Sequence, residues 1–371
     1  SLANAVFEML NSNIAFTLCQ MLTSGAVEAL EAHASEAQKD KYLHQIISGN
    51  WSATMNLTEP QAGSDVGAVK TKAEPQPDGT YKIYGTKIYI TYGDHDMTEN
   101  IIHLVLARTP GAPEGTKGIS LFIVPKFFVN DDGSLGDRND VKCIGLEDKL
   151  GIHASPTCVM SFGENDGATG WLIGAENTGM AAMFTMMNNA RLNVGIQGVG
   201  LAEQATQLAM SYAADRVQGR APDAERGDNT PVPISTHPDV RNMLMTMRAL
   251  TDAARAICYE NGVFHDLAHF GGDERAKAFN ELLTPISKAF STDIANEVSS
   301  LAVQIHGGMG FVEETGIAQF ARDAKILPIY EGTNGIQAID LINRKLPLAN
   351  GAILSDYLTQ IEETITHCAS E

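Results

Sequence analysis

A carboxylate beside a glycine is the position in this sequence best suited to chemistry. Glu331 lies in the segment Ile329–Gln337, where an apolar stretch is interrupted. A glutamate in such surroundings can act as a general base with a raised pKa, because removal from water disfavours its charged form. The same residue also fits a solvated turn, so the two interpretations stay open at this point.

Two further segments carry hydroxyl groups or glycines that suit a ligand rich in hydrogen-bond acceptors. Leu57–Gly67 has hydroxyls at Thr58 and Ser64 beside glycines that let backbone N–H groups approach a ligand. Its spacing matches neither a Walker A loop nor the GxGxxG fingerprint. Gln304–Phe311 has three glycines within four residues. Taken alone, the first also fits an ordinary loop and the second a helix-ending turn, with His306 as a structural imidazole.

The elements that must position these segments change along the chain. The first 50 or so residues are rich in helix formers. From Trp51 to about Gly170, short β-type runs alternate with turn residues, and long helical segments follow Gly179. The strands predicted most clearly are Tyr81–Tyr92, Ile101–Ala107, Ile119–Val124 and Cys158–Phe162.

The clearest helical pattern is in Val240–Cys258, where apolar residues recur every three or four positions and form one buried stripe. The preceding Thr236–Asp239 predicts a capped helix start with proline in the first turn. Gly219–Pro233, rich in proline, glycine and charge, predicts an exposed loop.

The composition excludes several classes of protein. A chain of 371 residues is too long for one ordinary core, and a net charge of −19 argues against nucleic-acid binding. There is no apolar stretch of the roughly 20 residues that a membrane-spanning helix needs. Five scattered cysteines predict a reducing compartment, without a disulfide framework or a metal site. We expect a cytoplasmic protein, although a chain without an initiator methionine leaves a lost presequence open.

Together, the three segments resemble the acyl-CoA dehydrogenase family in order and separation. The combination of Thr58–Asp65 with Tyr330–Asn334 is specific to that family, and the resemblance covers almost the whole chain. It implies an α+β multidomain fold with an N-terminal helical part (1–51), a middle β-barrel-like domain (52–170) and a C-terminal helical bundle (171–371). We expect the chain to be truncated at both ends relative to the family.

The resemblance also implies roles for single residues. Glu331 matches the catalytic base that takes the α-proton of an acyl-CoA while the β hydride passes to N5 of FAD. A minority of the family has its base just before the arginine matched by Arg191, but this chain has Ala190 there. Arg191 and Ser64 match positions beside the substrate, although a structural salt bridge fits Arg191 equally well. The residues matched to FAD contacts are Thr58, Ser64, Tyr89, Thr91, Arg216, Gln304, Gly307, Gly308 and Thr333.

Some positions depart from the family pattern. The usual aromatic residue at Tyr89 is tryptophan, and Asn334 stands where relatives often have serine. The long loop Gly219–Pro233 and the segment Ser155–Thr157 resemble a larger bacterial subgroup that includes long-chain and methylthiopropionyl-CoA dehydrogenases.

The partners implied are an acyl-CoA substrate and an electron-transferring flavoprotein. A homodimer or homotetramer is also expected, because the arginine matched by Arg216 meets the FAD of an adjacent subunit. An acyl-CoA oxidase of the same fold and a non-enzymatic flavoprotein with a binding role remain alternatives. The net charge of −19 and the presence of the base Glu331 disfavour the non-enzymatic flavoprotein.

Overall fold

The computed structural model describes residues 2–370, and the chain divides into two compact units. The β unit is Ala15–Ala190, and the helical unit is Ser1–Ile14 together with Arg191–Glu371. The predicted α+β architecture is confirmed, since helices come before and after a mixed sheet in the order of the chain. The boundaries of the three predicted domains stay a prediction.

Helices account for the beginning of the described chain and for most of it after residue 178. They are α1 (Leu2–Leu10), α2 (Ile14–His33), α3 (Glu36–Ile47), α4 (Gly179–Asp215), α5 (Pro238–Gly271), α6 (Glu274–His306), α7 (Ile317–Ala324), α8 (Asn334–Asp340) and α9 (Ala352–Ser370). A π-helical turn, Leu341–Lys345, follows α8, and a 3-10 turn, Gly307–Phe311, follows α6. No helix within residues 2–370 is long and apolar enough to cross a membrane.

Eight of the ten strands in the β unit form one mixed sheet. The ten strands are β1 (Trp51–Asn56), β2 (Lys72–Pro75), β3 (Tyr81–Thr91), β4 (Asn100–Ala107), β5 (Ser120–Pro125), β6 (Phe127–Val129), β7 (Leu135–Arg138), β8 (Val141–Leu146), β9 (Thr157–Phe162) and β10 (Ala168–Ile173). The order is β1-β4-β5-β10-β3-β9-β8, β2 pairs with β3, and β6 and β7 form a separate ribbon. Only the β1–β4 pair among these is parallel.

The strand predictions are confirmed to within one residue at each end, for β3, β4, β5 and β9. Every residue of β4 and β5 is buried, which explains why apolar residues occupy consecutive positions in these strands instead of alternating ones. Side chains from these strands and from β3 and β9 share one core, which includes Ile83, Val105, Phe122 and Met160. That core fixes the face on which β3 presents its remaining side chains.

The helical unit is organised around α4, α5 and α6, whose buried faces form one core with Val199, Met247 and Val298 at its centre. The predicted stripe of α5 is confirmed, and Pro238 is at the first helical position. The predicted side-chain cap is wrong, because no side chain caps the start of α5. Two short strands, β11 (Val217–Arg220) and β12 (Pro231–Pro233), overlap the two ends of the predicted loop and pair with each other.

Candidate active site

Glu331 lies on the loop between α7 and α8, in a left-handed backbone conformation. Its φ is 55°, and Gly332 follows with a φ of 82°. A left-handed conformation costs a non-glycine residue about 1 kcal/mol or more, so neighbouring contacts must hold the loop in place. Thr333 ends the loop as the N-cap of α8, where its Oγ1 accepts a hydrogen bond from the N–H of Ile336 at 3.2 Å.

Hydrogen bonds on both sides of Glu331 fasten this loop within the helical unit. The Tyr330 hydroxyl donates to Oε1 of Gln197, a fully buried residue of α4. Nε2 of Gln337 donates to the carbonyl of Gly332 at 3.0 Å. The residues that flank Glu331 are therefore hydrogen-bonded to α4 and α8. These bonds hold the loop but do not involve the Glu331 side chain.

The carboxylate of Glu331 is removed from water and poorly compensated. The residue as a whole is half-buried, but its Oε2 is inaccessible and has no hydrogen-bond partner within residues 2–370. Burial raises the pKa of Glu331 to about 7, and the positive charges of Arg191 and Lys288 limit the rise. A carboxylate with this pKa can take up a proton at neutral pH, as a general base must.

Arg191 is buried beside this loop but bonds to another carboxylate. Its side chain is 3% exposed, and its Nη1 donates to Oδ2 of Asp340 at 3.1 Å. Nε of Arg344 lies 2.7 Å from Oδ1 of Asp340, so this one buried carboxylate forms ion pairs with two cations. The role in substrate binding predicted for Arg191 stays a prediction. The alternative interpretation was a structural salt bridge, and Arg191 does form one with Asp340.

Sequence reasoning missed Lys288, a fully buried lysine of α6. Its Nζ donates to Oδ1 of Asn334 at 2.9 Å. A lysine on a helix usually keeps its ammonium group in water while its stem covers apolar surface, so the local pattern did not indicate burial. The only signal was a single lysine inside a largely apolar run, Leu282–Phe290.

In the β unit, three of the predicted residues lie on β3 or are hydrogen-bonded to it. Tyr89 and Thr91 are on β3, and the N–H of Ile88 donates to the carbonyl of Thr58 at 3.0 Å. The pairing of β3 with β9 shifts register between Lys87 and Ile90. Tyr89 lies within that bulge with a φ of 59° and a side chain that is 60% exposed. The bulge therefore exposes the Tyr89 ring, next to Ile88, which is hydrogen-bonded to Thr58.

A buried ion pair joins β3 to the segment that contains Thr58. Nζ of Lys87 donates to Oε1 of Glu59 at 2.8 Å, and both side chains are at least 96% buried. Burial opposes ionisation of Glu59, but the Lys87 ammonium and hydrogen bonds from Thr71 and Lys70 outweigh it and lower the pKa of Glu59 to about 2. Glu59, which follows Thr58, is thus held by an ion pair to β3, the strand that contains Tyr89.

The other predicted ligand residues are on exposed positions. Ser64 is exposed in the loop of the β unit. In the helical unit, Arg216 is exposed just after α4 and bonds to Gln218, while Gln304 is exposed near the end of α6. Gly307, with a φ of 61°, and Gly308 continue into the 3-10 turn, with open space where a Cβ would be.

These groups fit a flavin dinucleotide in chemical type. An exposed aromatic ring and hydroxyl groups suit an isoalloxazine, and an exposed guanidinium suits a diphosphate. The open backbone at Gly307 and Gly308 allows close approach of a polar ligand. In contrast, no group of three or more His, Cys, Asp or Glu within residues 2–370 could hold a metal ion.

Comparison with known proteins assigns the chain to a family. Residues 54–164 match the model for "Acyl-CoA dehydrogenase, middle domain", and residues 177–346 match that for "Acyl-CoA dehydrogenase, C-terminal domain". The chain is 54% identical to 3-methylmercaptopropionyl-CoA dehydrogenase of Ruegeria pomeroyi, over 97% of this chain and 61% of that protein. It is 44% identical to a butyryl-CoA dehydrogenase of Syntrophomonas wolfei, over 92% and 57% of the two chains.

The fold agrees with these sequence matches. The solved structure of butyryl-CoA dehydrogenase from Megasphaera elsdenii superposes with a TM-score of 0.73 and 28% identity, covering 90% of this chain and 79% of that one. The chain spans about six tenths of the length of the two relatives that it matches at 54% and 44% identity. On the strength of both domain models, the chain belongs to the acyl-CoA dehydrogenase family.

Proposed function

We propose that this protein oxidises an acyl-CoA thioester to the trans-2-enoyl-CoA, with Glu331 as the catalytic base. The observation that carries the proposal is the Glu331 carboxylate, whose Oε2 is buried without a hydrogen-bond partner in the described chain. Because burial raises its pKa to about 7, this carboxylate is both ionisable at neutral pH and basic. The family to which the chain belongs supports the reaction class.

The chemistry requires more than a base. A proton α to a thioester is weakly acidic, so its removal needs donors that stabilise the negative charge growing on the carbonyl oxygen. The backbone N–H of Glu331, held by the left-handed turn, is one such donor in our proposal. Arg191 and Ser64 are proposed to position the substrate, and Glu331 then takes the α-proton onto its carboxylate.

When bound, FAD supplies an acceptor for the β hydride. We propose that Thr58, Tyr89 and Thr91 of the β unit hold its ring system, with Ser64 nearby. For the remainder of the cofactor, the residues proposed are Arg216, Gln304, Gly307, Gly308 and Thr333. The exposure of Arg216, Gln304, Gly307 and Gly308 supports this assignment, and Thr333 is half-buried at the start of α8.

The finer identity of the reaction is also a proposal. The 54% identical relative is named for 3-methylmercaptopropionyl-CoA, and another relative is named for butyryl-CoA, which supports an acyl-CoA with a short or thioether-bearing chain. We propose an electron-transferring flavoprotein as the electron acceptor and a homodimer or homotetramer as the assembly. A cytoplasmic location stays a prediction.

The decisive test mixes the FAD-loaded protein anaerobically with a panel of acyl-CoAs that differ in length and substitution. We expect one class to bleach the visible band of the flavin. Glu331→Gln should keep its flavin spectrum and lose this bleaching rate by several orders of magnitude, because no base remains. Near-normal bleaching in that variant would contradict the assignment of Glu331.

The same experiment separates the alternatives. In air, stoichiometric hydrogen peroxide from the wild-type protein would favour an acyl-CoA oxidase over a dehydrogenase. A protein that holds FAD but is bleached by no thioester would favour a binding role. Replacement of Glu297, an exposed glutamate of α6, by Gln is the matched control and should leave the bleaching rate unchanged.

A further inference from the structure

Lys288 is a buried cation that makes its hydrogen bond with the residue three positions after Glu331. It is fully buried on α6, and its Nζ donates to Oδ1 of Asn334 at 2.9 Å. Burial and the positive charge of Arg191 lower the pKa of Lys288 to about 8, while the negative charges of Glu331 and Asp293 favour its ionised form. The lysine therefore still carries its charge at neutral pH, inside the helical unit.

Asn334 holds that ammonium group through a network on α6. Its Oδ1 accepts from Lys288 and from Oγ1 of Thr292 at 3.2 Å. Its Nδ2 donates to the carbonyl of Ala289 at 3.2 Å and to Oδ1 of Asp293 at 2.8 Å. All of these partners belong to α6, so a single side chain fastens the start of α8 to that helix. Both hydrogen-bonding atoms of Asn334 are used, which fixes its orientation.

The two cations that influence Glu331 are both engaged with other acceptors. Arg191 donates to Asp340, which also pairs with Arg344, and Lys288 donates to Asn334. Both cations lower the pKa of Glu331 through space, while Oε2 of Glu331 has no partner among the described residues. The Glu331 carboxylate is therefore stabilised by two positive charges, while its Oε2 makes no hydrogen bond in the described chain.

We propose that Asn334 and Lys288 act as a pair of positioning residues, in which Asn334 keeps the Lys288 ammonium near Glu331 and off its carboxylate. The inference rests on the proposed role of Glu331 as the base. It concerns how neighbouring side chains set the basicity of the Glu331 carboxylate. One of them, Asn334, is a position at which this sequence departs from the family pattern.

The physical argument gives opposite effects for the two residues. Without the Lys288 charge, burial acts on Glu331 with less opposition, so its pKa rises and the carboxylate is protonated at neutral pH. Without the Asn334 acceptor, the buried ammonium needs another partner, and the Glu331 carboxylate, whose charge already favours the ionised lysine, offers a charge-assisted hydrogen bond. That bond lowers the pKa of Glu331 and occupies the lone pair that must take the proton.

The test is an infrared pH titration of the FAD-loaded protein, without substrate. The carbonyl band of the protonated Glu331 carboxyl is identified by its loss in Glu331→Gln. We expect its midpoint to move to higher pH in Lys288→Met and to lower pH in Asn334→Leu, which has a similar shape but no acceptor. Lys277→Met, which removes a surface lysine from the same helix, should leave the midpoint unchanged.

A purely structural role would not move the two midpoints in opposite directions. Shifts of the same sign, or no shift in either variant, would overturn the proposal. If Lys288→Met does not fold, Asn334→Leu decides alone, since an unchanged or raised midpoint contradicts the argument. The titration needs no turnover, so it gives an answer even if no acyl-CoA reduces the flavin and the proposed function fails. With an active protein, the pH profile of kcat/KM should show the same two shifts.

Discussion

Replacing Glu331 by Gln should remove a pH dependence from the stability of this protein. Burial holds the pKa of the carboxyl at about 7 in the folded chain, compared with an ordinary value of 4.5. That difference of about 2.5 corresponds to about 3 kcal/mol, at about 1.36 kcal/mol for each pKa unit. Oε2 is inaccessible to water, so solvent does not screen it directly.

The sign follows from which form of the carboxyl the folded protein prefers. The raised pKa means that the folded protein favours the protonated form, so the associated stability is fully present below pH 4.5. It is lost as the pH rises through about 7, where the folded protein must accommodate a buried charge. The amide introduced by Glu331→Gln has no proton to lose in this range, so the variant should not show this decline.

Urea unfolding of both proteins between about pH 4 and pH 8 measures the effect. The free energy of unfolding of the wild type minus that of Glu331→Gln should fall by about 3 kcal/mol across this range. Subtraction cancels the titration of histidines and other groups common to both proteins. The exposed-site control Glu297→Gln should follow the wild-type curve. Parallel curves for wild type and Glu331→Gln would mean that the carboxylate is solvated or well bonded, and the physical argument for the base would fail.

Three further substitutions test other parts of the structure by urea unfolding. Lys87→Met should cost about 3 kcal/mol, because it leaves the buried carboxylate of Glu59 without its cation; a cost below about 1 kcal/mol would contradict this. Gly332→Ala should cost about 1–2 kcal/mol, since its φ is 82°, and should slow flavin bleaching roughly 100-fold; an unaffected variant would show that the turn is not strained. Arg275→Gln should leave the urea midpoint unchanged, because its pair with Asp356 is exposed on both sides; a clearly lowered midpoint would contradict this.

The strands and long helices were predictable because their burial leaves a repeating pattern in the sequence. The apolar run Ile101–Ala107, interrupted at His103, and the three-four repeat of Val240–Cys258 each correspond to an observed element. The hairpin formed by Val217–Arg220 and Pro231–Pro233 was missed, because its strands are short, largely exposed and rich in turn residues. Such strands bury too little apolar surface to impose alternation.

The candidate site was predictable in part, from motifs and not from physical patterns. The segment around Glu331 stood out only in combination with the two glycine-bearing segments, as a family resemblance. Its left-handed backbone and the burial of Lys288 were not visible in the sequence, because both depend on contacts between distant helices. Asn334, noted as a departure from the family pattern, acquires a physical role only when its bonds to α6 are seen.

The distribution of unsatisfied polar atoms gives an independent argument for where the site lies. Most buried polar groups in proteins are hydrogen-bonded, and each exception costs about 1–3 kcal/mol. Among the described residues of the helical unit, four of the five buried side-chain atoms without a partner are in side chains around the Glu331 loop: Arg191 Nε, Gln197 Nε2, Glu331 Oε2 and Gln337 Oε1. The left-handed conformation of Glu331 adds strain at the same place. Unsatisfied polar atoms and a left-handed backbone occur together here, which is expected where side chains are kept available for a substrate and not for folding.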